Sequence, residues 1–257
     1  MPAASRQPLR GIDVLITRPV GQGRALACRV RALGGQPLLL PGVSLRAIES
    51  GEQVHEALEC ALAGDVVLFT SPAAVRFAAR VLPLHGRARV AAVGAATARA
   101  LRRHDVGDVI EPSGRQDSEG LLAHPALASV RGCAVAVIGA PGGRGVLQQR
   151  LRERGARVTE VAVYQRVPAR LDRRHRQAVR GLRQRHVVLL SSVQTVQRLQ
   201  RLLDAADWRH VVAGTAVVSS QRVADAARQA GFERVVRAAS ALTDALLTGA
   251  VQAAREL

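Results

Sequence analysis

The chain contains no lysine: all 37 of its basic residues are arginine. That excludes Schiff-base chemistry, and with it pyridoxal-phosphate enzymes and lysine aldolases. It also excludes the phosphate lysine of a P-loop and the strand lysine of a protein kinase. Aromatic residues make up only 2% of the sequence, too few for the stacking platforms that hold single-stranded nucleic acid. No apolar run is long enough for a transmembrane helix, and residues 1–11 carry two prolines and no apolar core of a signal peptide. The three cysteines, Cys28, Cys60 and Cys133, are far apart and form no C-x-x-C pair; they indicate a reduced, cytoplasmic setting. The seven histidines never recur at metal-ligand spacing, so no metal is expected.

What is present is apolar and positively charged. A hydrophobic fraction of 48% over 257 residues supports a large core. With so few aromatics that core must be Ala, Val and Leu, which suits parallel α/β layers. Lys+Arg outnumber Asp+Glu by 37 to 20, a formal charge of +17. An arginine bias with abundant Ala and Gly is also what a GC-rich genome produces. The sign of the charge still favours an anionic partner, and guanidinium forks suit carboxylates and phosphates.

Short β-rich runs alternate with helical stretches, the pattern of an α/β protein with parallel sheets. Strands are expected at 13–17, 66–70, 90–93, 134–138, 158–163, 187–191 and 216–219. A helix over 22–33 places Leu26, Val30 and Leu33 on one face and stops at Gly34-Gly35. The halves repeat. Leu26 and Leu147, Gly34 and Gly155, and Thr70-Ser71 and Ser191-Ser192 are each 121 residues apart. Val93-Gly94 and Val218-Ser219, then Glu119-Gly-Leu-Leu122 and Asp244-Ala-Leu-Leu247, are 125 apart. A duplicated unit with one loop insertion accounts for this, and predicts two similar domains with a cleft between them. Two extended, proline-containing segments, Leu38–Leu45 and Val161–Pro168, lie at equivalent points. They read as crossings between domains that pair as a two-stranded linker.

Several segments carry candidate chemistry. Gly21-x-Gly23 partly fits a dinucleotide fingerprint, but Gln36 to Arg46 contains no acid for the ribose, so an ordinary βα turn is favoured. Gly139-Ala-Pro-Gly-Gly-Arg-Gly145 opens a second helix. With Gly143 and Arg144 it is either an anion cradle or a tight turn; Arg18 occupies the corresponding turn of the first repeat. Thr70-Ser71, Gly94 with Thr97, Ser191-Ser192 and Ser219-Ser220 end strands and start helices. Such residues are helix caps, and at the carboxyl edge of a parallel sheet they are carboxylate seats as well. Arg166 to Arg185 holds eight arginines, with Leu171, His175, Val179 and Leu182 as a helical stripe; a solvated face is preferred to a nucleic-acid surface. Tyr164 is the single tyrosine, and a phenol can act as a general acid.

Together these residues resemble the uroporphyrinogen-III synthase family. The resemblance is carried by Val14-Leu-Ile-Thr-Arg-Pro19, Leu33-Gly34 with Pro41, and Leu68-Phe-Thr-Ser-Pro72. It continues in Ala92-Val-Gly-Ala-Ala-Thr-Ala-Arg-Ala-Leu101, Ser118-Glu-Gly-Leu-Leu122, Gly142-Gly-Arg144, Arg154-Gly-Ala156, Val161-Ala-Val-Tyr164, and Ala226-Ala227 through Gly231-Phe232. It implies two similar Rossmann- or flavodoxin-like parallel-sheet α/β domains joined by a two-stranded linker. A discontinuous domain would comprise 1–38 plus 168–257 and the other 43–161, with linker strands at 39–42 and 162–167. It further implies a cofactor-independent hydro-lyase that cyclises hydroxymethylbilane, a linear tetrapyrrole with eight carboxylates, to uroporphyrinogen III with inversion of ring D.

Under that resemblance Tyr164 matches the linker tyrosine that assists hydroxyl departure, and Thr97 a cleft threonine. The matching position of the second domain falls near Gln221-Arg222, where Ser219-Ser220 would supply hydroxyls instead. Arg18, Thr70, Ser71, Gly94, Thr97, Gly143, Arg144, Ser191, Ser192, Ser219 and Ser220 are the expected substrate-binding set. The expected partner is the polycarboxylate, met by a cytoplasmic monomer without specific nucleic acid or membrane. A catalytically silent tetrapyrrole- or anion-binding regulator is the alternative.

Overall fold

The computed structural model describes residues 7–49, 51–142 and 145–257. The chain runs β1 (Asp13–Ile16), α1 (Val20–Ala32), β2 (Gln36–Leu39), β3 (Val43–Ala47), α2 (Gly51–Ala63), β4 (Val66–Phe69), α3 (Pro72–Ala78), β5 (Arg89–Ala92), α4 (Ala95–Arg102), β6 (Val109–Ile110) and α5 (Ser118–Leu122). After a 3-10 turn it continues with β7 (Ala134–Gly139), α6 (Val146–Glu153), β8 (Arg157–Ala162), β9 (Tyr164–Pro168), α7 (Arg173–Arg180), β10 (His186–Leu190), α8 (Val193–Leu202), α9 (Ala205–Val212), β11 (Thr215–Val218), α10 (Gln221–Gln229), β12 (Arg234–Arg237) and α11 (Thr243–Arg255).

It divides into two compact units, Met1–Ser44 with Val167–Leu257, and Leu45–Arg166. Each holds one five-stranded parallel sheet. The orders are β12-β11-β10-β1-β2 and β6-β5-β4-β7-β8. The chain leaves the first unit within β3 and returns within β9, and these two strands pair as a separate ribbon. The sequence reading put these crossings at 39–42 and 162–167. In the structure Leu39 closes β2, Pro41 and Gly42 follow it as an irregular step, and the first ribbon strand is Val43–Ala47. Proline lacks the N–H a ladder requires, so the strand resumes only beyond it.

Helices cover both faces of each sheet, so the central strands are apolar on both faces beyond their first residues, Asp13, His186, Thr215 and Arg89. In the second unit Val67, Phe69, Ala92 and Ile138 pack on one side, and Val66, Leu68, Ala91 and Val137 on the other. In the first, Leu15, Val188, Leu190 and Val218 face one layer, and Val14, Ile16, Val187 and Leu189 the other. The alternation is the period-2 pleat acting on an apolar run.

The repeat is visible in local detail. Gly34 and Gly155 both adopt φ +83° just past a helix. Gly34 N–H donates to Arg31 O (2.9 Å) and Gly155 N–H to Arg152 O (2.8 Å). The left-handed conformation lets the chain reverse into the next strand, and it is one that side chains resist. Gly21 and Gly23 lie inside α1. A Cβ at Gly23 would come within 2.9 Å of the Leu39 side chain, so this glycine serves helix–strand packing. The arginine-rich segment forms α7, shorter than its apolar stripe. Leu171 and Leu182 flank the helix and pack on the core beside Val179. His175 instead completes a capping box with Asp172.

Asp13 is the main buried acid of β1. It accepts from Arg183 N (2.9 Å), Nε (3.0 Å) and Nη2 (2.6 Å), tying the strand to the loop before β10. The pairing raises the Arg183 pKa, first through the hydrogen bond to Asp13 and then through its charge. Asp13→Ala should destabilise the protein by about 2–3 kcal/mol, the worth of lost charge-assisted bonds plus an orphaned Arg183 N–H. Urea unfolding followed by circular dichroism measures it, and Asp13→Asn should lose less.

Candidate active site

Parallel strands place all their carboxyl ends on one edge of a sheet, where the following helices begin. In the second unit that edge is built from the ends of β4, β7 and β8. Thr70 leaves β4 with its N–H and its Oγ1 both donating to Ile138 O, at 3.1 and 3.0 Å. Ser71 is the N-cap of α3, its Oγ accepting from Ala74 N–H at 3.1 Å, and Pro72 follows in the first turn. Gly139, at the end of β7, lies against Thr70: a Cβ there would stand 2.5 Å from Thr70 Oγ1.

Tyr164 opens β9 and is 2% exposed. Its ring stacks on Phe77 of α3, with centroids 5.3 Å apart and planes at 16°. Its Oη lies 3.2 Å from Ser71 Oγ. Arg166, two residues on and therefore on the same face of the strand, holds its guanidinium carbon 6.0 Å from the ring centroid. These groups border a cleft of about 280 Å³, whose lining includes Thr70, Ser71, Ser118, Gln148, Tyr164 and Arg166. Glu160 also reaches it, engaged by Gln148 Nε2 (3.0 Å) and Arg152 Nη2 (3.2 Å). The arrangement offers a phenol with a hydroxyl neighbour, a cation and a glycine-bordered turn in one concavity.

Of the expected residues, Thr70, Ser71 and Tyr164 come together here. Gly143 and Arg144 lie outside the described residues, while the flanking Gly139, Ala140, Pro141 and Gly145 line the cleft. Gly94 and Thr97 sit apart, at the start of α4. Gly94 is its N-cap, and Ala95 N–H donates to Gln116 Oε1 at 2.6 Å. Thr97 is 4% exposed, with its N–H on Gly94 O.

The remainder belong to the first unit. Ser191 and Ser219 follow the neighbouring strands β10 and β11, with Ser219 N–H on Leu190 O at 3.2 Å. Ser192 and Ser220 cap α8 and α10 without a side-chain capping bond, so their hydroxyls are not consumed by the helix ends. Arg18 follows β1 and donates to Ala241 O. Burial lowers its pKa from the ordinary guanidinium value. Ser118, Gln148, Glu160 and Arg166 were not in the expected set. Arg166 carried a usable signal, its i+2 spacing from Tyr164 on an extended strand; the other three are brought in by the tertiary fold.

Among the described residues no group of His, Cys, Asp and Glu could hold a metal ion, and no helix is long and apolar enough to cross a membrane.

Two parallel α/β units, one bearing a cleft lined by a phenol, a serine and an arginine, define a two-unit α/β protein with a polar concavity at the carboxyl edge of one sheet. Comparison with known proteins names the family. Residues 24–248 match the family model described as uroporphyrinogen-III synthase HemD. The chain is 31% identical over 242 residues to the uroporphyrinogen-III synthase of Salmonella typhimurium, covering 92% of this chain and 98% of that one. It is 28% identical to that of Escherichia coli with the same coverage. Among solved structures, a mutant uroporphyrinogen III synthase from Thermus thermophilus aligns at TM-score 0.56 and 23% identity, covering 96% of this chain and 100% of that one. A uroporphyrinogen-III synthetase from Helicobacter pylori aligns at 0.61 and 13%, covering 94% and 98%. These two similarities are of fold. The chain belongs to the uroporphyrinogen-III synthase family, a family of cyclising lyases in tetrapyrrole biosynthesis.

Gly139→Ala should displace Thr70 Oγ1 and cost about 1–2 kcal/mol through overpacking and a lost hydrogen bond. It should also raise KM several-fold. Steady-state kinetics beside thermal unfolding separates the two effects.

Proposed function

We propose that this chain cyclises hydroxymethylbilane to uroporphyrinogen III, with loss of water and inversion of the last pyrrole, acting as a cytoplasmic monomer. The observation that carries the reading is Tyr164: its phenol borders the cleft, 3.2 Å from Ser71 Oγ and beneath Arg166.

The chemistry follows from these groups. The pyrrole nitrogen expels the hydroxymethyl oxygen of the substrate, and the Tyr164 O–H supplies the proton that lets it leave as water. The remaining azafulvenium is electrophilic at carbon and needs little further activation. Selecting the attacking carbon is then a matter of holding the chain in one fold, which is positioning catalysis. Eight carboxylates provide the handles. In the second unit Thr70, whose N–H and Oγ1 both donate to Ile138 O, borders the cleft as an acceptor, while the Arg166 guanidinium and the Thr97 hydroxyl offer donors. In the first unit Arg18, Ser191, Ser192, Ser219 and Ser220 do. Donors fixed in place before the charge develops cost no reorganisation during reaction. The proton released when the macrocycle forms returns to the phenolate, so the cycle is neutral overall.

Incubating the protein with freshly generated hydroxymethylbilane and separating the isomers tests the reading. The type III product is expected; type I alone, the product of uncatalysed closure, would refute it. Tyr164→Phe should keep the Phe77 stack and the fold while lowering kcat by tens-fold or more. Unchanged kcat would remove Tyr164 from the acid role.

A further inference from the structure

Ser71 does two things at once. Its Oγ accepts the Ala74 N–H at 3.1 Å and lies 3.2 Å from Tyr164 Oη. A serine oxygen has two lone pairs and one proton. With one lone pair held by the α3 backbone, the hydroxyl cannot swing freely, and among the described residues the polar side chain within hydrogen-bond distance of it is Tyr164. We propose that Ser71 is the positioning residue of the Tyr164 acid: it donates its hydrogen bond to Tyr164 Oη and keeps the phenol proton directed into the cleft.

The chain of donation runs from Ala74 N–H to Ser71 Oγ–H to Tyr164 Oη. Accepting a bond makes an oxygen a stronger donor, so the two bonds reinforce each other. When the substrate C–O bond breaks, the phenol O–H bond also breaks. Its proton joins the departing oxygen as water and the phenol oxygen becomes anionic. Ser71 keeps its own proton throughout. Its bond therefore strengthens as charge builds on Oη, which is the condition for lowering a barrier rather than only binding.

The internal repeat supplies a comparison. At the 121-residue offset Ser192 corresponds to Ser71, and Val43 to Tyr164. Val43 is buried, 7% exposed, and Ser192 caps α8 without a side-chain capping bond. The scaffold therefore folds with an aliphatic residue at this place, and the phenol–serine pair is not a requirement of the sheet or its helix. Phe77 fixes the ring plane by stacking and Arg166 holds its guanidinium carbon 6.0 Å from the ring centroid; of these three neighbours, Ser71 is the one that engages the hydroxyl.

The inference rests on Tyr164 being the proton donor, so its test is a double-mutant cycle. The whole chain is used with hydroxymethylbilane, in four forms: wild type, Ser71→Gly, Tyr164→Phe and the double variant. Glycine is chosen because it replaces serine at an N-cap with little loss of helix stability. Ser71→Gly should lower kcat about ten-fold, the scale of one hydrogen bond to a group becoming charged, with KM within about two-fold. Ser71→Thr should restore most of it. In the Tyr164→Phe background Ser71→Gly should change kcat little. A loss of equal size in both backgrounds, or a loss confined to KM, would overturn the positioning role and leave a capping residue. If Tyr164→Phe itself keeps full kcat, the acid role of Tyr164 is what fails. If the wild type forms no type III isomer, the proposed reaction fails.

Discussion

Within both five-stranded sheets every strand pairing is parallel, and the organisation of the protein follows from that. A parallel pair cannot be closed by a hairpin; each strand needs a crossover, here mostly a helix, before its neighbour can form. The crossovers bury both faces, which is why Val66–Phe69 and His186–Leu190 are buried throughout. They also send every carboxyl end to the same edge. Thr70, Ser71, Gly139 and Ala162 meet for that reason, although the outermost are 92 residues apart in the chain. The hydroxyls then take their orientation from the helices they start. Ser71 is held because α3 needs a cap, and Tyr164 is held because Phe77 of that same helix stacks on it.

The duplication adds a second layer to this. The two sheets have the same order once β1 is matched with β7, β2 with β8, and β10, β11 and β12 with β4, β5 and β6. The first unit therefore takes its β1 and β2 from the first repeat and the remainder from the second. The other unit takes the complement. β3 and β9, themselves equivalent, are the segments where this exchange happens. One ancestral set of carboxyl-edge positions has thus been filled twice with different residues. Gly139 answers to Arg18, Tyr164 to Val43, and Ser71 to Ser192. One unit gained a phenol and a tight glycine turn, the other a guanidinium and open serine hydroxyls.

Much of this was legible in the residues. The central strands announce themselves as apolar runs closed by Thr, Ser or Gly, and the observed ends differ by a residue or so. Gly34 is legible as a helix stop because a helix C-terminus needs a left-handed residue, and Gly155, its partner in the repeat, adopts the same φ. Thr70 and Ser71 are singled out by their position at a strand end and Tyr164 as the single tyrosine of a linker segment, and the structure brings the three together. The edge strands β2, β6 and β12 were missed, β2 because its end was read into the crossing at 38–45. Val109–Ile110 is two residues long, and Arg234–Arg237 has charged residues at both ends. Edges are made this way to discourage further pairing, and the same features hide them. Gln116 was also missed. It reaches from a loop to cap α4, a job local patterns assign to residues just before a helix. Its amide is held by Pro112 O and Gly114 O, a geometry that only the folded loop creates.

The charge balance acquires a meaning at this level. Many of the acids are already committed. Asp117, Asp172 and Asp204 cap helices, Asp13 and Asp207 are buried against Arg183 and Arg180, and Glu111 and Glu153 take Arg102 and Arg150. These carboxylates raise the pKa of Arg115, Arg180 and Arg183 through hydrogen bonds first and charge second. The acids thus do structural work and leave the arginine excess largely uncompensated by the fold itself. An excess of +17 in a chain with no lysine attracts anions at long range without choosing among them. Choice has to come from short range, where donors are fixed by the backbone. The carboxyl edges supply these, with cap hydroxyls and strand-end guanidinium groups set by the same hydrogen bonds that close the sheets. In the reaction proposed for this chain, a flexible substrate bearing many carboxylates would be selected by such fixed donors through the spacing of its charges, and that spacing would also decide how its chain folds before the ring closes.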